Sequence, residues 1–138
     1  MNATNREENA ILEQAKGDGA FEEAEILFRH GKCDGAVSRG YYAAFHYACA
    51  CLLTKGLEAR SHHALQRLFH LHFVRSKIFH EKTGVLLSHA QKAREEADYF
   101  PEVTFTVEIA GDRLEEVRQF IATARQYLSQ ARLSHPDG

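Results

Sequence analysis

Two clusters of polar residues contain the side-chain types that acid–base or phosphate chemistry requires. The first lies in residues 38–53, SRGYYAAFHYACACLL, which include Arg39, Tyr42, His46 and Cys49. Helical geometry places these four along one side, with Arg39 and His46 about 10 Å apart along the axis. Histidine is the usual acid–base residue near neutral pH, so Arg39 and His46 are candidate catalytic residues. The same side can equally be a polar seam inside a bundle, where a buried Arg or His needs a partner.

The second cluster is QKAREEADYF, residues 91–100, with Arg94, Asp98 and Tyr99. Arg94 and Asp98 are an i,i+4 pair on one helix face. A carboxylate near the C-terminus of a helix opposes the helix dipole unless a cation meets it, and Arg39 or Arg94 can be that cation. We therefore predict a buried Arg–Asp bond that docks the second helix on the fourth. Together with Tyr42, these three residues are the candidate ligand-binding set.

Motifs for metals, cofactors and nucleophiles are missing from the sequence. No two of the nine histidines are three or four residues apart, the spacing that two ligands on one helix face need. Cys-x-x-Cys, His-Glu-x-x-His, Gly-x-Ser-x-Gly and a Gly-rich phosphate loop are also absent. The sequence therefore predicts no metal site and no cofactor.

Length and composition predict one all-α domain over residues 1–138. The chain has 138 residues, 44% of them hydrophobic, and only two prolines, which suits a helical bundle with its own core. A helix at about 5–16 is expected to break or kink at the glycines of GDG, residues 17–19. The core then covers about 20–130, and 131–138 is expected to be a disordered tail. The expected architecture is an up-and-down bundle of four to five helices.

The helices that position the two clusters can be bounded from caps and periodicity. Asp34 is the predicted N-cap of a central helix that Gly56 closes, and Ser61 that of a third helix through about Val74. A fourth helix is expected at about 83–98, followed by an extended crossing. The last helix repeats apolar residues at alternating spacings of three and four, typical of a bundle seam or a dimer contact. This seam consists of Val107, Ala110, Leu114, Val117, Ile121, Ala124 and Leu128.

Charge and cysteine content narrow the function classes. The net charge is −2 with both signs interspersed, so the broad basic surface of a sequence-independent nucleic-acid binder is not indicated. A small RNA-contacting cleft stays compatible with it. Three cysteines, an odd number, favour reduced thiols. The N-terminal residues lack an apolar signal core and no run is long enough to span a membrane, so we expect a soluble, cytoplasmic protein.

The two clusters in this order resemble HEPN-domain proteins of the UPF0332 type, whose pattern is close to S-R-x-Y-Y-A-x-F-H, then S/T-H, then R-x-x-A-D-Y. The matching segments here are SRGYYAAFH, SHHALQRLFHLHFV and AREEADYF. The likeness covers about residues 21–128. It implies a helical bundle that dimerises, often beside a nucleotidyltransferase antitoxin encoded in the same operon. It also implies a metal-independent RNase toxin.

Active HEPN nucleases carry Arg-x(4–6)-His, in which Arg orients phosphate and His transfers protons. Here the residues after Arg94 are EEADYFP, without a histidine. Arg39 and His46 enclose six residues and match the motif literally, but within the earlier segment. Two readings stay open: a toxin or accessory subunit that binds RNA or nucleotide, and a non-catalytic interaction module with a structural polar core.

Overall fold

The computed structural model describes residues 2–134, and its regular structure within them is entirely helical. The prediction of an all-α bundle is confirmed. The elements in chain order are α1 (Ala3–Arg29), α2 (Cys33–Leu53), α3 (His62–Phe69), which continues into a π-helical turn (His70–Val74), α4 (Glu81–Tyr99) and α5 (Val107–Ser134). None of these helices combines the length and the apolar character that a membrane span requires.

Helix α2 is the centre of the bundle and contacts α1, α3, α4 and α5. Small residues let the other helices approach its backbone. Ala36, Ala43, Ala44, Ala48, Ala50 and Cys51 are all completely buried. Tyr41 and Leu52 of the same helix are also fully buried. Because four elements pack on one helix, each face of α2 meets a different environment.

The helix stops on either side of α2 are built from glycine. Gly31 and Gly56 have φ of +74° and +70°, the left-handed conformation that glycine adopts without steric cost. At the first stop, the Lys32 N–H donates to the Leu27 carbonyl at 2.9 Å and the Gly31 N–H to Phe28 at 3.0 Å. This pair of bonds is the Schellman motif. The stop at Gly56 was predicted from the sequence.

One of the two predicted N-caps is correct and the other was wrong. Ser61 caps α3 as predicted, since its Oγ accepts from the Ala64 N–H at 3.0 Å. Helix α2 instead begins at Cys33 with Lys32 as its N-cap. Asp34 is used elsewhere, because its Oδ1 accepts a hydrogen bond from the Phe105 N–H at 3.3 Å. It therefore ties α2 to the segment that leads into α5.

The expected break at GDG does not occur, and α1 runs without interruption from Ala3 to Arg29. Gly17 is needed for close packing rather than for a turn. A Cβ built at Gly17 would lie 2.7 Å from Cδ2 of Tyr47 and 3.1 Å from the Ala43 carbonyl oxygen. Glycine thus lets the α1 backbone rest against an aromatic ring of α2. The predicted separate helix at 5–16 was wrong, and the core extends back to Ala10, which is buried.

A polar triad secures this contact. The Tyr47 hydroxyl donates to Oδ1 of Asp18, and Arg125 of α5 donates from Nη2 to the same carboxylate at 2.8 Å and to the Tyr47 oxygen at 2.9 Å. Burial, reinforced by the bond to Asp18, raises the pKa of Tyr47 to about 12. Helices α1, α2 and α5 therefore share one hydrogen-bonded junction.

The seam of α5 is used inside the bundle. Six of its seven predicted residues are buried, and Val107 at the first turn is the exception, with 61% of its surface exposed. The seam therefore belongs to the bundle and is not available as a dimer contact. Residues 100–106 before α5 are not helical, as predicted, but the crossing begins with a turn in which the Val103 N–H donates to the Phe100 carbonyl at 3.0 Å. Of the predicted disordered tail, 131–134 continue α5, and 135–138 lie outside the described residues.

Replacing Gly17 or Gly19 of α1 with alanine should change the stability of the protein in opposite directions. Gly17→Ala should destabilise the protein by about 1–3 kcal/mol, because the added methyl overlaps the Tyr47 ring. A Cβ added at Gly19 would meet nothing within 4 Å beyond its chain neighbours and the adjacent helix backbone, so Gly19→Ala should stabilise by up to about 1 kcal/mol through helix propensity. Urea unfolding of the two variants measures this. Equal effects at both positions would contradict the packing role of Gly17.

Tyr47 also predicts a dependence of stability on alkaline pH. Its pKa is raised in the folded protein from 10.0 to about 12, so its contribution is complete below pH 10 and is lost as the pH rises through 12. The difference in unfolding free energy between wild type and Tyr47→Phe should therefore shrink by about 1–2 kcal/mol across that range. Urea unfolding at a series of pH values measures it. A constant difference would contradict the raised pKa.

Candidate functional site

Tyr42 of α2 is the centre of a cluster formed with the C-terminal turns of α4. Arg94 donates from Nη2 to the hydroxyls of Tyr42 and Tyr99, at 2.9 and 3.2 Å. Its Nε donates to Oδ2 of Asp98 at 3.1 Å, and the Ser38 hydroxyl donates to the same oxygen at 3.1 Å. We call Arg39, Tyr42, Arg94, Asp98 and Tyr99 the arginine–tyrosine cluster.

Arg39 reaches the same tyrosine from α2 itself. Its guanidinium carbon lies 5.4 Å from the centroid of the Tyr42 ring, as does that of Arg94. Nε of Arg39 lies 3.2 Å from Oε2 of Glu23 on α1, but the orientation is not that of a hydrogen bond and this buried nitrogen makes none. Among the described residues, the terminal nitrogens of Arg39 also have no hydrogen-bond partner. Arg39 thus keeps donors available beside Tyr42.

The electrostatics keep Arg94 charged in this partly buried position. Burial acts to lower its pKa, but Tyr42, Tyr99 and Asp98 outweigh that effect and raise the pKa above its ordinary value. Its side chain is only 12% exposed. Arg94 therefore works as a fixed cation that joins α4 to α2.

The structure assigns His46 to a different pairing. Its Nδ1 lies 2.7 Å from Oε2 of Glu13, and its side chain is 23% exposed. Glu13 and Glu23 are ten residues apart on α1, about 15 Å along the helix axis. Arg39 and His46 therefore face α1 as predicted for one side of α2, but each is held at its own ion pair.

The predicted arginine partner of Asp98 is confirmed as Arg94, but the prediction that an Arg–Asp bond joins the second and fourth helices was wrong. Arg39 pairs with Glu23, and the Arg94–Asp98 pair lies within α4. The docking of α4 on α2 instead uses Arg94 to Tyr42 and Ser38 to Asp98. Sequence reasoning had placed Ser38 in the first motif without giving it a role.

Cys49, the fourth residue on the predicted polar side of α2, is poorly suited to act as a nucleophile. Burial and then Glu13 raise the pKa of its thiol to about 12, so the reactive thiolate is scarce at neutral pH. Cys33, Cys49 and Cys51 are all free thiols, as predicted, although Cys49 is only partly buried.

His62 is the site residue that sequence reasoning missed. Its Nδ1 lies 2.6 Å from the Tyr41 hydroxyl, and its ring centroid is 5.0 Å from that of Phe45 and 6.0 Å from that of Tyr42. Burial and then the charge of Arg94 lower the pKa of His62. The available signal was the Ser-His pair of the resembled pattern, which matches Ser61 and His62, whereas the contact itself arises when α3 packs on α2.

The donor set of the cluster suits an anion better than a metal. Guanidinium and phenol groups bind phosphate or carboxylate oxygens. Within residues 2–134, no three His, Cys, Asp or Glu side chains converge as a metal site would require. The donors that the cluster offers are therefore those of an anion site rather than those of a metal site.

Comparison with known proteins agrees with this architecture. No curated protein gives a significant match to the chain. The profile of the HEPN domain matches residues 9–130, which include the central helix, both motif segments and most of α5. Since the match covers far more than half of the sequence, the chain belongs to the HEPN domain family.

Proposed function

We propose that this HEPN-domain protein binds a phosphorylated nucleotide, free or within RNA, on the arginine–tyrosine cluster and does not cleave it. The observation that carries the proposal is the pair of guanidinium groups on Tyr42. Both lie 5.4 Å from its ring, and the terminal nitrogens of Arg39 have no hydrogen-bond partner among residues 2–134. Arginine donors of this kind recognise phosphate oxygens in pairs.

Tyr99 adds a surface for the base. It is 63% exposed, and the Arg94 guanidinium lies 5.2 Å from its ring centroid. Bases of single-stranded nucleic acids stack on aromatic side chains of this type, and stacking is worth about 1–3 kcal/mol per base. A phosphate at Arg39 and Arg94 would leave its base near Tyr99.

Two observations argue against cleavage. The segment after Arg94 has no histidine, so the family's nuclease motif is incomplete there. His46, the other candidate acid–base residue, pairs with Glu13 rather than with any member of the cluster. A phosphate bound at Tyr42 would therefore have no imidazole directed at it from either motif.

What we propose about partner proteins rests on the family resemblance alone. We propose that the chain is a homodimer and serves as an accessory subunit of a nucleotidyltransferase-linked toxin–antitoxin pair. Because the apolar seam of α5 is buried inside the bundle, the proposed dimer contact must use another surface. The UPF0332 subtype also rests on the resemblance alone.

A second function, a non-catalytic interaction module, is favoured by the burial of Arg94. This side chain is 12% exposed and already bonded to Tyr42, Asp98 and Tyr99. In that reading the cluster is a docking seam between α2 and α4. Removing one partner of such a network destabilises the fold without affecting any ligand.

Arg39 allows the two functions to be separated, because it is 37% exposed and not part of the α2–α4 bonds. Arg39→Gln should weaken binding of a single-stranded RNA oligonucleotide or of ATP about tenfold or more, since it removes a charge-assisted phosphate contact. Thermal stability should hardly change. Fluorescence anisotropy and thermal melts measure the two quantities.

Arg118→Gln is the matched control. Arg118 also pairs with glutamates, at positions 25 and 115, and lies over an aromatic ring, that of Phe21 at 5.2 Å. The Arg118→Gln variant should bind the RNA oligonucleotide and ATP with the same affinity as wild type. If wild type binds neither probe, or both variants bind equally well, the ligand-binding proposal fails and the interaction module is preferred.

RNA incubated with the protein in EDTA tests the absence of cleavage. Wild type should leave the RNA intact, because the His62 imidazole near Tyr42 is held at the Tyr41 hydroxyl and that of His46 is held at Glu13. Cleavage that is abolished by His46→Ala would instead support the enzyme and would contradict the proposal. His89→Ala is the control, since His89 makes a comparable pair with Glu116 at 3.1 Å.

A further inference from the structure

A basic and histidine-rich segment stands out from an otherwise acidic chain. Residues 54–82 contain six Lys and Arg against two Glu, a net charge of +4, and five of the nine histidines. The whole chain has a net charge of −2, so all other residues together carry −6. This segment includes α3 and its π-helical turn. The arginine–tyrosine cluster does not explain it.

An open groove runs along this segment, between α3 with its π-helical turn and α4. One wall of the groove is lined by His63, Gln66, Arg67, Phe69, His70, Leu71, Val74 and Arg75, and the other by Glu81, Gly84, Val85, Ser88 and His89. The lined length is about 12–16 Å by the helical rise, or roughly three turns of a helix laid into it.

The groove combines an apolar floor with a basic rim. Leu71 and Val85 are 44% and 49% exposed. Arg67 and Arg75 form no ion pair and no side-chain hydrogen bond with any described residue, whereas Glu81 is the single acid in the lining. Exposed apolar side chains between unpaired arginines indicate a surface meant for a partner.

The backbone around the groove departs from regular helix. The Arg75 N–H bonds to the His70 carbonyl at 2.8 Å, an i→i+5 bond that widens the helix. Lys77 has a φ of +67°, uncommon for a residue other than glycine. Gly84 lets the π-helical turn pack closely on α4, since a Cβ at this position would lie 2.9 Å from Cγ2 of Val74. Such π-helical insertions occur frequently at functional sites.

We propose that this groove binds an acidic amphipathic helix of a partner protein. The apolar face of the helix would lie on Leu71 and Val85, and its carboxylates would meet Arg67 and Arg75. A nucleic-acid backbone is a poorer occupant, because its phosphates would leave the apolar floor without a partner. The mode of binding is that of a helix in a groove, with anchors at positions i, i+3 or i+4, and i+7.

Selection from a phage-displayed library of random peptides on a helical scaffold tests the groove with the full chain. Recovered peptides should be acidic and carry apolar residues at helical spacing. Their affinity, measured by fluorescence anisotropy, should fall at least tenfold in Leu71→Glu/Val85→Glu and in Arg67→Glu/Arg75→Glu. It should also fall as salt is raised. The exposure of these side chains keeps the variants foldable, which circular dichroism checks.

Lys16→Glu/Arg29→Glu is the matched control, because both cations lie exposed on α1. It should not change peptide affinity. Peptides that bind the groove variants as well as wild type, or a library that yields no acidic groove-dependent sequence, would overturn the proposal. So would a wild-type dimer that the groove variants convert to monomers, or RNA binding that only these variants lose. Those two results would assign the groove to a second copy or to nucleic acid.

Discussion

The close contact between Gly17 and Tyr47 fixes the register of α1 against α2, and the acid partners of Arg39 and His46 depend on that register. With the Tyr47 ring against the α1 backbone and its hydroxyl bonded to Asp18, the antiparallel helices can pair in one way only. Glu13 then lies beside His46 and Glu23 beside Arg39. A slip of one turn would separate both ion pairs and place a Cβ against the ring.

Helix α2 can serve as core and as site because its neighbours cover it unequally. Tyr41 is fully buried, and burial raises its pKa well above the ordinary value, so its phenol stays protonated beside His62. Tyr42, the next residue, points to the boundary where α4 ends and meets two arginines. Adjacent tyrosines in one motif therefore have different surroundings, one in the core and one at the junction with α4 where we propose that a ligand binds.

Local signals in the sequence were sufficient for much of the fold. The glycine stops at Gly31 and Gly56, the Ser61 cap and the α5 seam are each set by neighbouring residues. The predictions that failed required tertiary information. Gly17 was interpreted by its helix propensity, whereas its role depends on a ring thirty residues away. Asp34 was interpreted as the N-cap of the central helix, but its carboxylate instead accepts a hydrogen bond from the Phe105 N–H.

The candidate site likewise divides into features that the sequence could predict and contacts that depend on tertiary structure. Spacing alone placed Arg39, Tyr42 and His46 on one side of α2, and the second motif supplied Arg94. Their acid partners could not be predicted, because Glu13 and Glu23 lie on a helix whose register was unknown. Nor could the sequence show that Arg94 would bond to Tyr42, fifty-two residues earlier. These contacts decide that His46 and the arginine–tyrosine cluster are separate.

The most direct test of a phosphate site at Tyr42 is to observe the arginine side chains during ligand titration. Nε–H signals of the ¹⁵N-labelled protein, followed by NMR as single-stranded RNA or ATP is added, report each guanidinium separately. We predict that the signals of Arg39 and Arg94 shift together and saturate, while Arg118 stays unchanged. Shifts confined to Arg67 and Arg75, or no shift at any arginine, would contradict the account.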